Sequence, residues 1–252
     1  MSFYSPSVDR LELLELVDRQ RFGVEYQPII DTCSGAVIGH EALARFFNHQ
    51  GDLVAPLHIF QLLHDSPLML AQVELQLKRL QIRFRPKNST LFLNLDPHAF
   101  SVFGPTENEN VMAKMLTDNQ DLVIELIENT DLNDAHISNE VATLMHHKGV
   151  AIALDDVGAP GTMVSLNILS NVDFIKFDRH WISGDSCQSK SMKQLFKSLI
   201  GYAQLSGKKT ILEGVESAED LAYAAKIGVD YVQGFFYKEL FVNEHCGNKG
   251  AL

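Results

Sequence analysis

Two adjacent acids at the end of an apolar segment are the first sign of chemistry in this sequence. Asp155 and Asp156 follow the run AIAL, which has the composition of a buried β-strand. Neighbouring side chains on a strand point to opposite faces, so both carboxylates can serve one site only where the strand ends and the backbone turns. Like charges at such short range repel unless a positive charge lies between them. The pair therefore indicates a cation site.

The same pattern, a short apolar run that ends in a polar residue, recurs along the chain. The runs are GAVIGHE, STLFLN, LVIE, VAIALD, VDFIK, KTILE and DYVQ. Most intervals between them have room for one helix and two short loops, and helical spacing predicts helices over 9–19, 68–83, 133–147, 190–204 and 217–226. Apolar strands that alternate with helices indicate a parallel sheet covered on both faces. The residues that end the runs are Glu41, Asn94, Glu125, Asp155, Lys176, Glu213 and Gln233.

Two architectures accommodate this alternation, an open doubly wound sheet and a closed (β/α)₈ barrel. The open sheet would be expected to carry a glycine-rich phosphate turn after its first strand, and neither GxGxxG nor GxxxxGK[ST] occurs. The segment VEYQPII brings the strand count to eight, which favours the α/β barrel. Only DTCSG separates the first two strands, too little for a crossover helix, so they are predicted to form a hairpin. A barrel with one antiparallel strand follows.

In such a barrel the polar strand ends share one rim, and their oxygen atoms suit a hard divalent cation. Carboxylates with an amide oxygen are ligands for Mg²⁺ or Mn²⁺. An aspartate at the turn can bridge two ions, the arrangement that activates water in phosphoester displacement. A lone buried ammonium such as Lys176 is costly, but beside a carboxylate and metal cluster it could hold a water or a phosphate oxygen. One acid at a strand end is usually a helix cap or a surface residue, so the prediction depends on the whole set.

The composition narrows the classes of partner and compartment. Lys and Arg number 21 against 32 Asp and Glu, and the net charge of −11 argues against binding a DNA or RNA polymer. The three cysteines, Cys33, Cys187 and Cys246, have no CxxC spacing and fit free thiols in a reducing cytoplasm. No export signal or membrane segment is indicated. We expect a cytoplasmic protein.

No linker or low-complexity tract divides the chain, so a single domain is predicted over residues 1–252. Within it, an N-terminal helix is expected over 1–20, the barrel over 21–240 and a tail over 241–252.

Eight motifs, in order, carry a resemblance to a known family. They are YQPIID, GAVIGHEALARF, FLNLDPHAF, VIELIE, ALDDVG, VDFIKFDRHWI, ILEGVES and GVDYVQGFF. With them the sequence resembles the EAL domain family of bacterial cyclic di-GMP phosphodiesterases, from about Glu25 to Phe236, nearly the whole chain. The resemblance implies a (β/α)₈ barrel with one antiparallel strand, in agreement with the spacing of the runs.

The resemblance also implies a role for each matched residue. The first metal would be held by Glu41, Asn94, Glu125 and Asp155, and Asp155 would bridge to a second metal held by Asp156. Catalysis would involve Lys176, which positions the attacking water, together with Glu213 and Glu41. Contacts to the substrate would come from Gln27, Arg45, Asn94 and Gln233. Support would come from Glu128, which anchors the loop after the Asp pair, and from Glu216.

The implied reaction is an in-line attack of activated water that opens cyclic di-GMP to linear pGpG, with two Mg²⁺ or Mn²⁺ ions per site. One alternative is a catalytically weak or inactive EAL module that acts as a cyclic di-GMP receptor or as a protein-interaction element. Another is a different metal-dependent barrel hydrolase. The resemblance further suggests a homodimer and a regulatory protein partner. The ten histidines receive no role.

One segment departs from the family pattern. Active members usually read DDFGTGYSSL after the metal-binding strand, whereas this chain reads DDVGAPGTMV from Asp155 to Val164. Pro160 fixes its own φ and restricts Ala159, so the loop is expected to have another shape. Ile127 also stands where the family prefers Thr. The metal ligands survive these changes.

Overall fold

Eight strands close into a barrel in the computed structural model, which describes residues 8–104, 110–127, 132–161, 165–183 and 189–245. Two further strands, β3 and β10, pair outside the barrel. In chain order the strands of the described residues are β1 (Phe22–Asp31), β2 (Val37–Phe47), β3 (Leu53–Val54), β4 (Thr90–Asn94), β5 (Leu122–Ile127), β6 (Ala151–Val157), β7 (Phe174–Phe177), β8 (Lys209–Leu212), β9 (Tyr231–Val232) and β10 (Val242–His245). The helices are α1 (Arg10–Asp18), α2 (Pro56–Leu63), α3 (Pro67–Arg83), α4 (Pro97–Ser101), α5 (Val111–Thr117), α6 (Leu132–His147), α7 (Leu166–Asn171), α8 (Lys190–Leu205) and α9 (Ala218–Ile227).

The order of strands around the barrel is β1, β2, β4, β5, β6, β7, β8 and β9, and β9 pairs again with β1. Strands β2 and β4 to β9 are parallel neighbours, whereas β1 is antiparallel to both β2 and β9. This closure excludes the open doubly wound sheet. It confirms the predicted (β/α)₈ barrel with one antiparallel strand and the predicted β1–β2 hairpin.

The reversed strand β1 has an outer partner that the sequence pattern did not indicate. Its first half, Gly23 to Tyr26, pairs antiparallel with β10, while Ile30 and Asp31 pair with β9. Strand β10 falls in the segment that the sequence analysis expects to be a tail.

The five helices predicted from apolar periodicity are present, with ends that differ by one residue. Local capping explains where two of them begin: at α1 the Asp9 carboxylate accepts from the backbone N–H of Glu12. At α9, Ser217 and Asp220 form a reciprocal capping box, and Gly228 ends the helix in the left-handed conformation. Helices α2, α4, α5 and α7 are eight residues or shorter and were not predicted individually.

Apolar side chains fill the barrel below its C-terminal rim. They form a small cluster of their own, in which the rings of Phe92 and Phe174 meet edge to face at 5.1 Å; its buried members are Ile29, Phe92, Val123, Ala153 and Ile211. A second and larger core lies between the barrel and the surrounding helices. This inner cluster makes the interior of the barrel a packed core.

In the described part of the chain, no helix combines the length and the apolar character that a membrane crossing requires.

Candidate metal and substrate site

The ammonium group of Lys176 lies at the centre of the rim, among four carboxylates from different strands. Its Nζ is 2.6 Å from Glu125, 2.7 Å from Glu213, 3.0 Å from Asp155 and 3.3 Å from Glu41. The Lys176 side chain has 0% solvent exposure. Four acids of the predicted set therefore meet at one point, and the positive charge between them belongs to the chain itself.

Two amide side chains complete this cluster. Asn94 Nδ2 donates to Glu41 at 2.7 Å and to Glu125 at 3.1 Å. Gln233 Nε2 donates to Glu41 at 2.7 Å and to Gln27 Oε1 at 3.4 Å. The amides hold the Glu41 carboxylate from two sides: Asn94 is the last residue of β4, and Gln233 directly follows β9.

The same acids form two overlapping groups that fit divalent cations. Glu41, Glu125 and Asp155 can each offer an oxygen within 4.8 Å of the other two, and so can Asp155, Asp156 and Glu213. Asp155 is common to both groups. Oε1 of Glu125 and Oδ1 of Asp155 are buried and face the ammonium of Lys176 at 2.6 and 3.0 Å. Several carboxylates that share one ammonium have oxygen atoms left over for further cations, so the residues present fit a pair of metal ions.

The acids differ in the direction in which their surroundings move the pKa. Burial, together with the charge of Glu41, raises the pKa of Glu125 well above its usual value. Burial also acts on Glu41, but Lys176 and the two amides outweigh it, so the pKa of Glu41 is lowered. Burial opposes the charge on Lys176, yet the surrounding acids raise its pKa well above the ordinary range. The cluster carries more negative charge than one ammonium neutralises.

A turn of the backbone within β6, at Asp156, is what allows two adjacent aspartates to face one site. Asp156 has a φ of +58°, in the left-handed region, and the β6–β7 register shifts between Leu154 and Val157. The turned backbone brings both carboxylates to the rim. The sequence analysis expected the strand to end at the pair, whereas β6 continues to Val157 through a bulge. Burial, followed by the charge of Asp155, raises the pKa of Asp156 to about 6.

An indole ring supports this turn from below. Trp181 Nε1 donates to the Val157 carbonyl at 2.6 Å, and the ring occupies the place that a side chain at position 158 would need. Gly158 has a φ of +89°, and a Cβ built on it would lie 2.2 Å from Trp181 Nε1. Glycine is therefore required here both by conformation and by contact. Of the altered loop, residues 162–164 lie outside the described residues.

A cavity of about 850 Å³ opens above the acids and extends to helices α2 and α3. Most of the predicted site residues line it: Gln27, Glu41, Asn94, Asp155, Asp156, Glu213, Glu216 and Gln233. Glu125 and Lys176 are fully buried beneath them. A space of this size suits a small organic ligand.

Arg45 is held away from the cavity by a partner that the sequence did not indicate. Its Nη2 lies 2.5 Å from Oε1 of Glu25 on the neighbouring strand β1, and Arg45 is not among the described residues that line the cavity. Gln27 Nε2 donates to the same Glu25 oxygen at 2.9 Å. Glu25 thus binds two residues predicted to contact the substrate.

A second cation, Arg179, lies on the cavity wall and was missed by the sequence analysis. Its Nη1 donates to Glu216 at 2.9 Å, and both side chains are half exposed. Arg179 could have been identified from its position just after the end of β7, the strand that carries Lys176. The predicted support residue Glu128 lies outside the described residues.

Comparisons with known proteins agree with this geometry. The family model described as EAL domain matches residues 10–239. The chain is 24% identical over 243 residues to "Probable cyclic di-GMP phosphodiesterase PdeN" of Escherichia coli (strain K12), an alignment that covers 89% of this chain and 44% of that protein. The chain thus spans less than half the length of this relative.

Solved EAL structures have the same fold. An EAL domain protein from Listeria monocytogenes EGD-e superposes with a TM-score of 0.70 at 21% identity, covering 92% of this chain and 94% of that one. The Bacillus subtilis YkuI protein, in complex with substrate c-di-GMP and calcium, gives a TM-score of 0.73 at 20% identity, covering 91% of this chain and 57% of that one. Because the family model covers nearly all of the described barrel, the chain belongs to the EAL domain family.

Proposed function

We propose that the protein is a metal-dependent phosphodiesterase that opens cyclic di-GMP to linear pGpG. The observation that carries the proposal is the pair of carboxylate groups that share Asp155 on the floor of the cavity. Two divalent ions, Mg²⁺ or Mn²⁺, would be held there by Glu41, Asn94, Glu125, Asp155 and Asp156. The names of the relatives support the choice of substrate: PdeN is called a probable cyclic di-GMP phosphodiesterase, and YkuI is in complex with c-di-GMP and calcium.

The bound metals would supply water activation at neutral pH and neutralise charge on the phosphate as the phosphodiester bond is cleaved. The remaining steps belong to the side chains. Lys176 is the described cation whose Nζ reaches all four acids, and it would hold the attacking water or a phosphate oxygen. Glu213 would orient that water, because its carboxylate contacts Lys176 and is partly open to the cavity.

The amides and cations around the rim would bind and orient the substrate. Gln27 and Gln233 line the cavity beside Glu41 and can donate to phosphate or base oxygens. Arg179 would place a positive charge on the wall, positioned by Glu216. Arg45 would reach a phosphate by exchanging its ion pair with Glu25 for a phosphate oxygen.

The experiment is to incubate purified protein with cyclic di-GMP and Mn²⁺, Mg²⁺ or Ca²⁺ and to separate the products. We expect pGpG with Mn²⁺ or Mg²⁺ and its loss in Glu41→Ala, while Glu140→Ala, a change on the exposed face of α6, retains turnover. Tight binding of cyclic di-GMP without turnover at any metal concentration would favour the receptor alternative, to which the altered loop after Asp156 points. Hydrolysis of other phosphodiesters alone would indicate a different hydrolase.

Three further parts of the proposal depend on sequence pattern and family resemblance. We propose that the protein is cytoplasmic, since its cysteines have the spacing of free thiols; Cys33, the described one, is free and exposed. A homodimer and a regulatory protein partner are also proposed. The single-domain arrangement, with the barrel over 21–240, stays a prediction.

A further inference from the structure

Glu25 on β1 holds two side chains that the proposed function assigns to the substrate. Its Oε1 atom lies 2.5 Å from Nη2 of Arg45 and accepts from Nε2 of Gln27 at 2.9 Å. The side chains of Glu25 and Arg45 are each 17% exposed, so water screens their ion pair only in part. One carboxylate oxygen therefore fixes both an arginine and an amide beside the cavity.

The register of the β1–β2 hairpin places this contact at the edge of the cavity. Side chains two residues apart on a strand share a face, so Arg45 lies on the same face of β2 as Leu43, which lines the cavity. Arg45 is opposite Gly23, which has no side chain, and it reaches diagonally to Glu25. Its Nη1 atom donates to the carbonyl of Ala44, another residue of the cavity wall, at 2.9 Å. The guanidinium group therefore lies beside the space that the substrate would occupy.

The arginine and the lysine that line the cavity, among the described residues, are each paired with a glutamate as well. Arg179 lies 2.9 Å from Glu216 in a half-exposed pair, and Lys78 lies 2.8 Å from Glu74 in a buried one. A phosphate that enters therefore meets cations that already have a counter-charge. The Glu25 pair is intermediate in exposure. It is desolvated enough to compete with a phosphate, and it is open enough to exchange its partner.

We propose that Glu25 is a positioning residue that competes with the substrate phosphate for Arg45 and thereby lowers the affinity of the site. This inference rests on the proposed function, because it requires a phosphodiester at the acids. Arginine binds carboxylate and phosphate through the same N–H donors, so the two anions compete for Arg45. Binding of the substrate through Arg45 breaks the ion pair with Glu25, and the freed carboxylate stays close enough to repel the phosphate.

Glu25 also acts through Gln27, and this second contact must be kept apart from the first. Oε1 of Gln27 accepts from Nε2 of Gln233 at 3.4 Å, and the same nitrogen donates to Glu41 at 2.7 Å. A change at Glu25 can therefore reach a metal ligand through two amides. The variant Glu25→Gln keeps an acceptor oxygen for Gln27 but removes the charge that holds Arg45, so it changes one contact and preserves the other.

The test is a double-mutant cycle on the binding of cyclic di-GMP, measured by titration calorimetry with Ca²⁺ present. We expect Glu25→Gln to tighten binding about 5-fold, because it frees Arg45 from a partly exposed ion pair. In an Arg45→Ala background the same change should alter the affinity by less than about twofold, since no arginine is left to release. In turnover with Mn²⁺, the KM of Glu25→Gln should fall with little change in kcat. Melting curves establish that each variant is folded.

The control is Glu140→Gln, which removes the same charge from the exposed face of α6 and should leave the affinity unchanged. A folded Glu25→Gln variant that binds cyclic di-GMP no more tightly than the wild type would overturn the inference while leaving the proposed function intact. Equal tightening with and without Arg45 would also overturn it, because the loss of charge alone would then explain the effect. A wild-type protein that binds no cyclic di-GMP would overturn the proposed function and, with it, this inference.

Discussion

Nζ of Lys176 lies 2.6 Å from Oε1 of Glu125, and neither side chain has any solvent exposure. Three further acids surround the same ammonium, so Lys176 supplies the counter-charge of the cluster before any cation binds. Bound cations would share these carboxylates with Lys176. The stability of the metal-free protein should therefore depend strongly on this one residue.

We expect Lys176→Met to lower the free energy of unfolding of the metal-free protein by about 3 to 5 kcal/mol, the usual cost of breaking a buried pair by removing one partner. The measurement is urea unfolding in the presence of a chelator. Lys209→Met is the control, because Lys209 pairs with Asp230 at the surface and should lose less than about 1 kcal/mol. Equal losses in the two variants would argue against a central role for Lys176.

Because Asp155 belongs to both carboxylate groups and Asp156 to only one, the two isosteric changes should differ in metal stoichiometry. Wild-type protein should take up two Mn²⁺ ions per chain. The Asp156→Asn variant should take up one, and the Asp155→Asn variant should take up less than one. Calorimetric titration of metal-free protein counts the sites. A single occupied site at 100 times its Kd should add about 2.7 kcal/mol to stability. Asp65→Asn, at an exposed surface pair, should behave as wild type.

Gly158→Ala should destabilise the protein by at least about 3 kcal/mol, because the new methyl group would overlap the Trp181 indole in addition to the cost of the left-handed φ. Gly161→Ala is a matched control. It has a similar φ of +88°, but no atom of the described residues lies within 4 Å of the added Cβ, so it should lose only about 1 kcal/mol. Thermal melts of both variants measure the difference. If they are alike, the indole contact is not what demands glycine at position 158.

The stability of the protein should fall at alkaline pH through Tyr26. This side chain is buried and donates to the Gln81 carbonyl at 2.8 Å, and burial raises its pKa above the ordinary value of 10. The folded state therefore favours the protonated phenol, so this contribution is fully present below pH 10 and is lost as pH rises further. Between pH 9 and pH 11 the wild type should lose about 1.4 kcal/mol more than Tyr26→Phe.

Urea unfolding at the two pH values gives this difference, and absorbance at 295 nm reports tyrosinate formation directly. A parallel loss in both proteins would mean that other groups govern the alkaline transition.

The sequence predicted the barrel and the ring of acids because both depend on local patterns. Short apolar runs ending in polar residues mark parallel strands, and parallel strands bring those ends to one rim. The pairing of Arg45 with Glu25 could not be predicted in this way, since it joins diagonal positions across a hairpin, Arg45 lying opposite Gly23, and that register is set by the fold.

The buried polar residues of α3 escaped the sequence analysis for a different reason. Glu74, Lys78 and Gln81 look like the solvated side of a helix, and only the packing of α3 against β2 places them inside. Short helices such as α4 also escaped prediction, because five residues carry too little periodicity.

The reversed direction of β1 determines on which side of the barrel the first and last described strands lie. In an all-parallel barrel the polypeptide enters at the closed floor, far from the reacting groups. Here Phe22, at the beginning of β1, is paired with Phe46, beyond Glu41 on β2, so the chain arrives on the open side. Strand β10 returns to the same place, beside Gly23 to Tyr26. Strand β1 therefore begins, and β10 ends, on the side of the barrel that carries the acids, so a structural change in either strand can reach the site without crossing the barrel.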